Sequence, residues 1–531
     1  MPTLEWIGKD KVINHHQEVP YRVLDRKYSY DESGQHNDDN GSKNKIIKGD
    51  NLEALKALLP EYEGKIKCIY IDPPYNTGNE GWVYNDNVSD PKIKKWLGEV
   101  VGKEGEDLSR HDKWLCMMYP RLRLLQKLLS DNGVIFISID DNEQANLKCI
   151  CDEVFGSSNF VAQMIWQKRT SPDARRKIST GHEYILSYVK NSRDLSEFNK
   201  LAWDEESAKN YKNPDNDPRG PWISTDCTAQ AGHGTKEQFY IMTTPVGRKI
   251  ELPDNLCWRF TKKRMDEEIA AGRIWFGADG QGVPRKKTYL YESEGRNLWT
   301  WWPNSEVGHT QEATKELAKI FGSSAMFDYP KPIRLIQRII QIATDKESII
   351  LDSFAGSGTT AHAVLNMNKS DGGNRKFILI EMEDYADTVT AERVKRVIRG
   401  YGTEEKATEG TGGDFSFYEL GERLLLEDGS LNHDVPTDKI RNYVWYMETK
   451  CSSMPENATD TKYYLATYND TAYYFYYEKD MVTVLNQDFL AEIKTKADQY
   501  VIYADICTIS DERLQEYNIV FKRIPRDIAS L

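Results

Sequence analysis

Apolar and polar positions along the chain alternate between two textures. The run KIIKGDNLEALKALLPEYEGKIKCIYID, from Lys45, reads as a strand, a turn at Gly49-Asp50, a helix with Leu52, Leu55, Leu58 and Leu59 on one face, and a second strand. That order predicts a βαβ unit. HDKWLCMMYPRLRLLQKLLSDNG repeats the helical period and predicts a helix stopped by Asn132-Gly133, with VIFISID as the next strand. NFVAQMIWQKR and HEYILSYVKN predict two further strands joined by a basic loop. After Pro330 the alternation resumes as helix PIRLIQRIIQIAT, strand SIILDSF, loop AGSGTT, helix AHAVLNM, strand KFILIEM and helix DTVTAERVKRVIRG. Strands separated by helices of this length predict an α/β fold with a doubly wound, mostly parallel, Rossmann-like sheet.

The pattern breaks in four places and so divides the chain. Residues 1–43 form a leader ending in the polar, mobile-looking YDESGQHNDDNGSKN; residues 44–195 carry the first α/β half. Residues 196–325 change to Trp, Gly, Pro and charge with weak periodicity, as an inserted module would, and residues 326–400 carry the second α/β half. A Gly/Thr-rich linker, GTEEKATEGTGGDF, leads into an α+β C-terminal domain over 415–531. There the run YYLATYNDTAYYFYY alternates as a strand pair with one packed face, which fits its acidic surroundings better than a base-stacking surface does.

Composition narrows the function classes. A chain of 531 residues exceeds one hydrophobic core. No run of eighteen apolar residues exists, and MPTLEWIGKDKV lacks a signal-peptide core, so a cytoplasmic protein with no membrane partner is expected. The eight cysteines include no C-x-x-C, and His182 and His233 are solitary, so no metal site is expected. The net charge of −13 is uneven. Residues 411–531 hold 12 basic and 21 acidic side chains and the rest 58 and 62, so nucleic-acid binding would need local patches in the larger part. WQKRTSPDARRKIST supplies one, with Lys168, Arg169, Arg175, Arg176 and Lys177 against a single acid, and PRKKTYL from Pro284 supplies a second.

Two segments carry chemistry. CIYIDPPYNTG, from Cys68, is a buried strand ending in a rigid loop, and open α/β sheets bind ligands beyond the carboxyl ends of strands. The loop offers the Asp72 carboxylate, the Pro73 carbonyl, Pro74 as a stiffener and the Tyr75 ring. Two acceptors and one flat surface suit an amino-bearing ring; a plain strand-ending turn is the alternative reading. ILDSFAGSGTT, from Ile350, runs a strand into a glycine loop and a helix, aiming backbone N–H groups into one pocket. It is neither a P-loop nor a G-x-G-x-x-G. Downstream, FILIEM ends in Glu381, an acid placed to hold ribose hydroxyls.

Together these motifs resemble the S-adenosylmethionine-dependent, amino-methylating DNA methyltransferases. DPPY matches their catalytic motif, DSFAGSGTT their cofactor loop, and the order catalytic motif, divergent segment, cofactor loop is that of the circularly permuted β class. GDNLEALK, SDNGVIFISIDDNE, NFVAQMIWQKR, YPKPIRLI and NIVFKRIPRDI extend the resemblance to the modification subunits of type III restriction–modification systems. The resemblance covers nearly the whole chain and is weakest over 196–325, where it implies a target-recognition domain.

The resemblance implies methylation of adenine N6 in double-stranded DNA, with the base flipped from the duplex. Asp72 and Pro73 would accept from its amino group, with Asp72 ionised at neutral pH, and Tyr75 would stack on the ring. S-adenosyl-L-methionine would lie against Asp352, Phe354, Gly356, Gly358 and Thr359, with Glu381 on the ribose and Asp50 on the adenine. Asp50 reads equally as the cap of the helix that follows it. Lys331 and Pro332 would close over the methionine end. Cytosine-N4 enzymes of the family usually carry Ser where this chain has Asp72, so adenine is expected. A homodimer and a separate restriction subunit bearing nuclease and helicase are the implied partners; G-x-x-x-x-G-K-[ST] does not occur in this sequence. The alternatives are a stand-alone DNA adenine methyltransferase, a catalytically dead DNA-recognition scaffold, and RNA or protein-glutamine methylation, for which Asn would be expected in place of Asp72.

Overall fold

The computed structural model describes residues 3–77, 108–175, 177–191, 198–203, 208–323, 326–403, 407–451, 454–455 and 460–529. It separates into two compact units, Met1–Asn199 with Trp299–Leu531, and Lys200–Leu298. The first unit is built on an eleven-stranded sheet. Its strands are β1 (Arg22–Asp31), β2 (Gly34–His36), β3 (Lys45–Lys48), β4 (Ile66–Ile71), β5 (Leu129–Ile139), β6 (Phe160–Gln167), β7 (His182–Val189), β8 (Trp301–Trp302), β9 (Ile349–Asp352), β10 (Lys376–Glu381) and β11 (Phe415–Arg423). The helices that matter for the site are α1 (Asn51–Tyr62), α2 (Leu108–Leu128), α3 (Gln144–Cys151), α4 (Thr310–Phe321), α5 (Ile333–Ala343), α6 (Thr359–Asp371) and α7 (Glu392–Arg399).

The strand order is β8-β6-β7-β5-β4-β9-β10-β3-β11-β1-β2. From β5 to β11 every pairing is parallel. β7 runs antiparallel to both neighbours, and β1 and β2 are antiparallel at the far edge. The βαβ logic is visible at α1: Asp50 Oδ1 accepts the Leu52 and Glu53 N–H groups at 2.9 and 3.2 Å, and the leucine face packs into the core. β4 leads through α2 to β5 on one side, whereas β9 leads through α6 to β10 on the other. β4 and β9 are paired neighbours, with Ile350 beside Cys68 and Leu351 beside Ile69. The chain therefore diverges between them, and the crevice at their carboxyl ends is the place where an open α/β sheet binds its ligand.

Five expectations change at this level. Residues 22–31 and 34–36 of the supposed leader are strands: Val23, Tyr28, Ser29 and Tyr30 are buried, and Asp31 Oδ1 accepts the Ser33 N–H at 2.8 Å to close the hairpin. Residues 415–423 are a strand of the main sheet rather than the start of a separate domain: β11 is paired on one side with β3 and on the other with β1. Asn132-Gly133 does not stop the helix, which ends at Leu128; it forms an irregularity in β5 where an added Cβ on Gly133 would lie 2.8 Å from the Ile66 carbonyl oxygen. The linker is anchored: Gly400–Tyr401 pairs with Thr408–Glu409, and Thr411 N–H donates to the Val397 carbonyl at 3.0 Å. Residues 299–323 pack with the first unit, β8 pairing in parallel with β6.

The C-terminal part carries a four-stranded sheet in the order Tyr464–Tyr468, Thr471–Phe475, Gln499–Ala504, Ile519–Arg523. Its tyrosines pack within it: Tyr464 is cross-strand partner to Tyr474, which is fully buried. The second unit has a three-stranded sheet, Ile274–Trp275, Arg285–Tyr289 and Trp222–Asp226, beside the helix Lys262–Ala270 and a small core that includes Cys227, Met242, Trp258 and Met265. Among the described residues no helix is long and apolar enough to cross a membrane.

Candidate active site

Both chemical motifs open into one cavity of about 1220 Å³, which lies wholly within the first unit and is walled by the loop after β4 and the loop after β9. The first loop is held from beneath. Trp114 Nε1 on α2 donates to the Pro74 carbonyl at 2.7 Å, and Asn76, in a left-handed conformation (φ 59°), donates its amide to the Glu143 carboxylate. Asp72 and Tyr75 are thereby presented to the cavity rather than folded away.

Five side chains converge there. Tyr75 Oη lies 2.9 Å from Asp72 Oδ1 and 3.0 Å from Glu183 Oε2, where it donates. The Lys331 ammonium donates to Asp72 Oδ2, lies 3.9 Å from Glu183 Oε2, and sits 5.1 Å from the Tyr75 ring centroid. Lys168 Nζ donates to Glu183 Oε1 at 2.8 Å. Burial raises the Asp72 carboxyl above the ordinary aspartate value, and the Lys331 ammonium works against that rise. Burial alone would lower Lys331, but Asp72 and Glu183 outweigh it and hold the ammonium above the usual lysine value. Burial followed by the Asp72 charge pushes Tyr75 well up, so its hydroxyl stays a donor.

The opposite wall is the glycine loop. Asp352 organises it from below: Oδ1 accepts the Phe354 N–H at 3.0 Å and Oδ2 accepts Thr360 Oγ1 at 2.5 Å. Glu381 Oε2 accepts the Gly356 N–H at 2.8 Å and Oε1 the Glu383 N–H at 3.1 Å. Burial lifts both carboxyls to about 7. Gly356 (φ 51°) passes under Phe327, whose Cζ would be 3.0 Å from an added Cβ. Gly358 (φ 80°) caps α6 with no side-chain hydrogen bond, leaving that helix amino terminus to the cavity side.

The structure brings Asp72, Pro73, Pro74, Tyr75, Lys331, Asp352, Phe354, Gly356, Thr359 and Glu381 to the cavity wall. Asp50, Gly358 and Pro332 are not on it. Asp50 caps α1 and lies 3.6 Å from Arg121, and Pro332 is the extended residue immediately before α5. Lys331 sits with the catalytic loop, while its carbonyl meets Thr359 Oγ1 at 3.3 Å. Of the basic loop, Lys168, Arg169 and Arg175 line the cavity, Lys177 is exposed and Arg176 lies outside the described residues. Lys168 is tied to Glu183, and Arg175 to Asp173 at 2.8 Å although it remains exposed. PRKKTYL is not a free basic patch. Arg285 pairs with Asp226, Lys286 lies 3.7 Å from Glu268, and Lys287 is buried between Asp215 and Asp217.

Sequence reasoning missed Glu183 and Glu383. Glu183 stands at the head of the apolar strand HEYILSYV, and Glu383 follows Glu381 by two residues, so an acid against an apolar pattern was the available signal. Glu383 Oε1 is buried without a hydrogen-bond partner at the cavity wall.

A DNA methylase family profile matches residues 66–392, a span that begins in β4, ends at the start of α7 and contains both walls of the cavity. The chain belongs to this DNA methylase family. Among the relatives of this chain, the type III restriction–modification enzyme StyLTI Mod subunit of Salmonella typhimurium is 35% identical over 428 residues, covering 76% of this chain and 64% of the relative. The EcoP15I Mod subunit of Escherichia coli is 32% identical over 448 residues, covering 76% and 67%. The type II methyltransferase M.KpnI of Klebsiella pneumoniae is 34% identical over 349 residues, covering 63% and 80%. The chain thus spans just under two thirds of the StyLTI subunit's length.

Proposed function

We propose that this chain is an S-adenosylmethionine-dependent, sequence-specific DNA methyltransferase acting on adenine N6, as the modification subunit of a type III restriction–modification system. One observation carries the reading: Asp72 with Tyr75, and the Gly356 loop with Glu381, form opposite walls of a single cavity at the sheet's divergence point. Family membership and the Mod relatives support the same choice.

The wall residues fit the cofactor. Gly356 leaves room that a Cβ would fill, Glu381 is poised beside it, and the buried unsatisfied Glu383 Oε1 suits a hydroxyl or amino donor. When bound, the cofactor supplies a methyl group on a sulfonium, open to in-line displacement. Phe354, Gly356 and Thr359 would flank it, Asp352 would keep the loop in shape, and Glu381 with Glu383 would take ribose hydroxyls. Asp50, Gly358 and Pro332 would act indirectly, by fixing the element ends around the site.

The chain's own work is positioning and charge. Asp72 and the Pro73 carbonyl accept the two hydrogens of the adenine amino group, favouring a pyramidal nitrogen and stabilising the positive charge that develops on it. Pro74 keeps that carbonyl in place, and Tyr75 stacks on the ring. In the structure the Lys331 ammonium occupies this spot, donating to Asp72 above the Tyr75 ring. Base entry therefore displaces it. Once it moves, Glu183 keeps Tyr75 aligned through the 3.0 Å hydrogen bond. Arg169 and Arg175 at the cavity wall, with Arg176 and Lys177 of the same basic segment, would meet phosphates, residues 200–298 would read the sequence, and the protein would work in the cytoplasm as a homodimer.

Modified-base sequencing of plasmid DNA from a methylation-free host expressing this chain alone tests the reading. N6-methyladenine at one short motif is expected; N4-methylcytosine, or no modified base from soluble protein that binds S-adenosylmethionine, would overturn it. Similarity to the type II methyltransferase M.KpnI favours a second reading, a methyltransferase that is not a subunit of a type III system. Co-purification with the product of a neighbouring helicase–nuclease gene separates the two.

A further inference from the structure

Beneath the cofactor loop lies a cation that the mechanism does not use. Arg393, on α7, is 1% exposed. Nη1 donates to Ser357 Oγ and Thr359 Oγ1, both at 2.8 Å, and to the Ser357 carbonyl at 3.4 Å. Nε and Nη2 both reach His362 Nδ1 at 3.4 Å. His362 is kept neutral by burial and by the neighbouring guanidinium, so it accepts hydrogen bonds and carries no charge. Among the described residues no carboxylate oxygen lies within 4.0 Å of Arg393. The Glu316 carboxylate, hydrogen-bonded to Tyr401, acts on it only from beyond contact, and a buried cation whose direct partners are all neutral is costly to keep in a fold.

Its partners face the cavity. Ser357 and Thr359 line it, and each hydroxyl, having accepted from Arg393, must turn its own proton elsewhere. Thr359 meets the Lys331 carbonyl at 3.3 Å, which ties the loop to the segment whose ammonium touches Asp72. The Ser357 proton remains for a ligand or for Thr359, 3.3 Å away. The rest of the ionisable wall includes Asp72, Glu183, Asp352, Glu381 and Glu383 together with Arg169 and the cations Lys331, Lys168 and Arg175, which are paired with Asp72, Glu183 and Asp173. An anionic group entering this cavity meets favourable potential at the Ser357–Thr359 corner, over Arg393 and the uncapped start of α6.

We infer that Arg393 is a positioning residue that makes the Ser357–Thr359 corner the carboxylate subsite of the cavity, selecting ligands by their amino-acid end. The inference rests on the cofactor reading above, because the methionine end of S-adenosylmethionine carries the carboxylate. Ser357 donates to that carboxylate, and Arg393 fixes the hydroxyl's direction and supplies the compensating charge from behind.

Calorimetric binding of two thioethers to the full chain tests it: S-adenosylhomocysteine, which has the amino-acid end, and 5′-methylthioadenosine, which lacks it. Wild type should prefer the first by more than about tenfold, the scale of one charge-assisted contact. Arg393→Met should remove most of that preference by weakening S-adenosylhomocysteine alone, and Arg393→Lys should restore part of it. Equal weakening of both ligands means a merely structural arginine and overturns the inference, as does an unchanged preference. Failure of wild type to bind either compound rejects the cofactor reading itself. Should Arg393→Met not fold, Ser357→Ala is read the same way: selective loss of S-adenosylhomocysteine is expected, and no selective loss overturns the inference.

Discussion

The two units each hold a buried lysine clasped by two acids and an aromatic ring, and the two knots differ where it matters. In the second unit Lys287 pairs with Asp215 and Asp217, its Nζ lies 5.3 Å from the Trp222 centroid, and Tyr289 donates to Asp217 at 2.7 Å. In the first unit Lys331 pairs with Asp72, approaches Glu183, and lies 5.1 Å from the Tyr75 centroid, while Tyr75 bonds Asp72. Asp217 also receives the Arg219 fork at 2.8 and 2.7 Å, and that fork is the main reason its carboxyl is held far below the usual range. Asp72 has no such fork, faces a cavity with its side chain 25% exposed, and is shifted upward by burial. A saturated carboxylate stabilises a fold; one left short of donors at a cavity is available to a substrate amine.

The largest effect that separates the knots comes from neutralising each acid. Asp72→Asn should lower methyl transfer by roughly 10²–10³-fold or more, the scale of losing one preorganised charge-stabilising group, with cofactor affinity nearly unchanged. Asp217→Asn should instead leave turnover per folded molecule intact and lower unfolding stability by about 3 kcal/mol, as breaking a buried pair does. Single-turnover methyl transfer, calorimetry and urea unfolding on both variants decide the matter. A stable Asp217→Asn protein with lost turnover would erase the distinction.

The cofactor wall should break independently of either knot. Gly356→Val meets Phe327 Cζ at 3.0 Å from a backbone already at φ 51°, so S-adenosylmethionine affinity should fall at least about tenfold while Asp72, Tyr75 and Lys331 keep their contacts. Retained affinity would refute the role given to the loop. A smaller effect follows from Glu381, which burial lifts to about 7. A raised carboxyl stabilises the folded protein when protonated, fully below the unfolded value and no longer above about 7. In the proposed function the ionised form is the one that would accept a ribose hydroxyl, so cofactor affinity should weaken several-fold as pH falls from about 8 to about 6. Glu381→Gln should flatten that profile; a variant that keeps the wild-type pH dependence would place the titrating group elsewhere.

How much of this was legible follows the range of each interaction. DPPY and AGSGTT are local, since a strand, a loop and a helix start lie in one short segment, and the apolar periods around them give the βαβ order. The Lys331–Asp72 pair spans 259 positions and Tyr75–Glu183 spans 108, so no local pattern announces them. The same holds for β1, whose polar flanks read as a leader until β11, some four hundred residues later, pairs with it. PRKKTYL misled for a related reason. Its charge is plain in sequence, but Lys287 is neutralised by Asp215 and Asp217, about 70 positions earlier.

The smallest predicted effect isolates the cations themselves. An opposite charge at contact distance lowers a carboxyl by about 1–3 pH units, so Lys331→Met should push the already raised Asp72 carboxyl further up. The acid limb of kcat/KM should then move to higher pH by about one unit, while turnover well above it persists, since in the proposed function the ammonium only holds the amine's place until the base arrives. Lys287→Met removes one of several donors to Asp217, whose Arg219 fork survives, so its carboxyl stays low and its cost appears as stability alone. Rate–pH profiles of the two variants, with urea unfolding alongside, read both consequences. If Lys331→Met lost turnover at every pH, the ammonium would be part of the transfer step and the two lysines would differ in kind, beyond the difference in their partners' saturation.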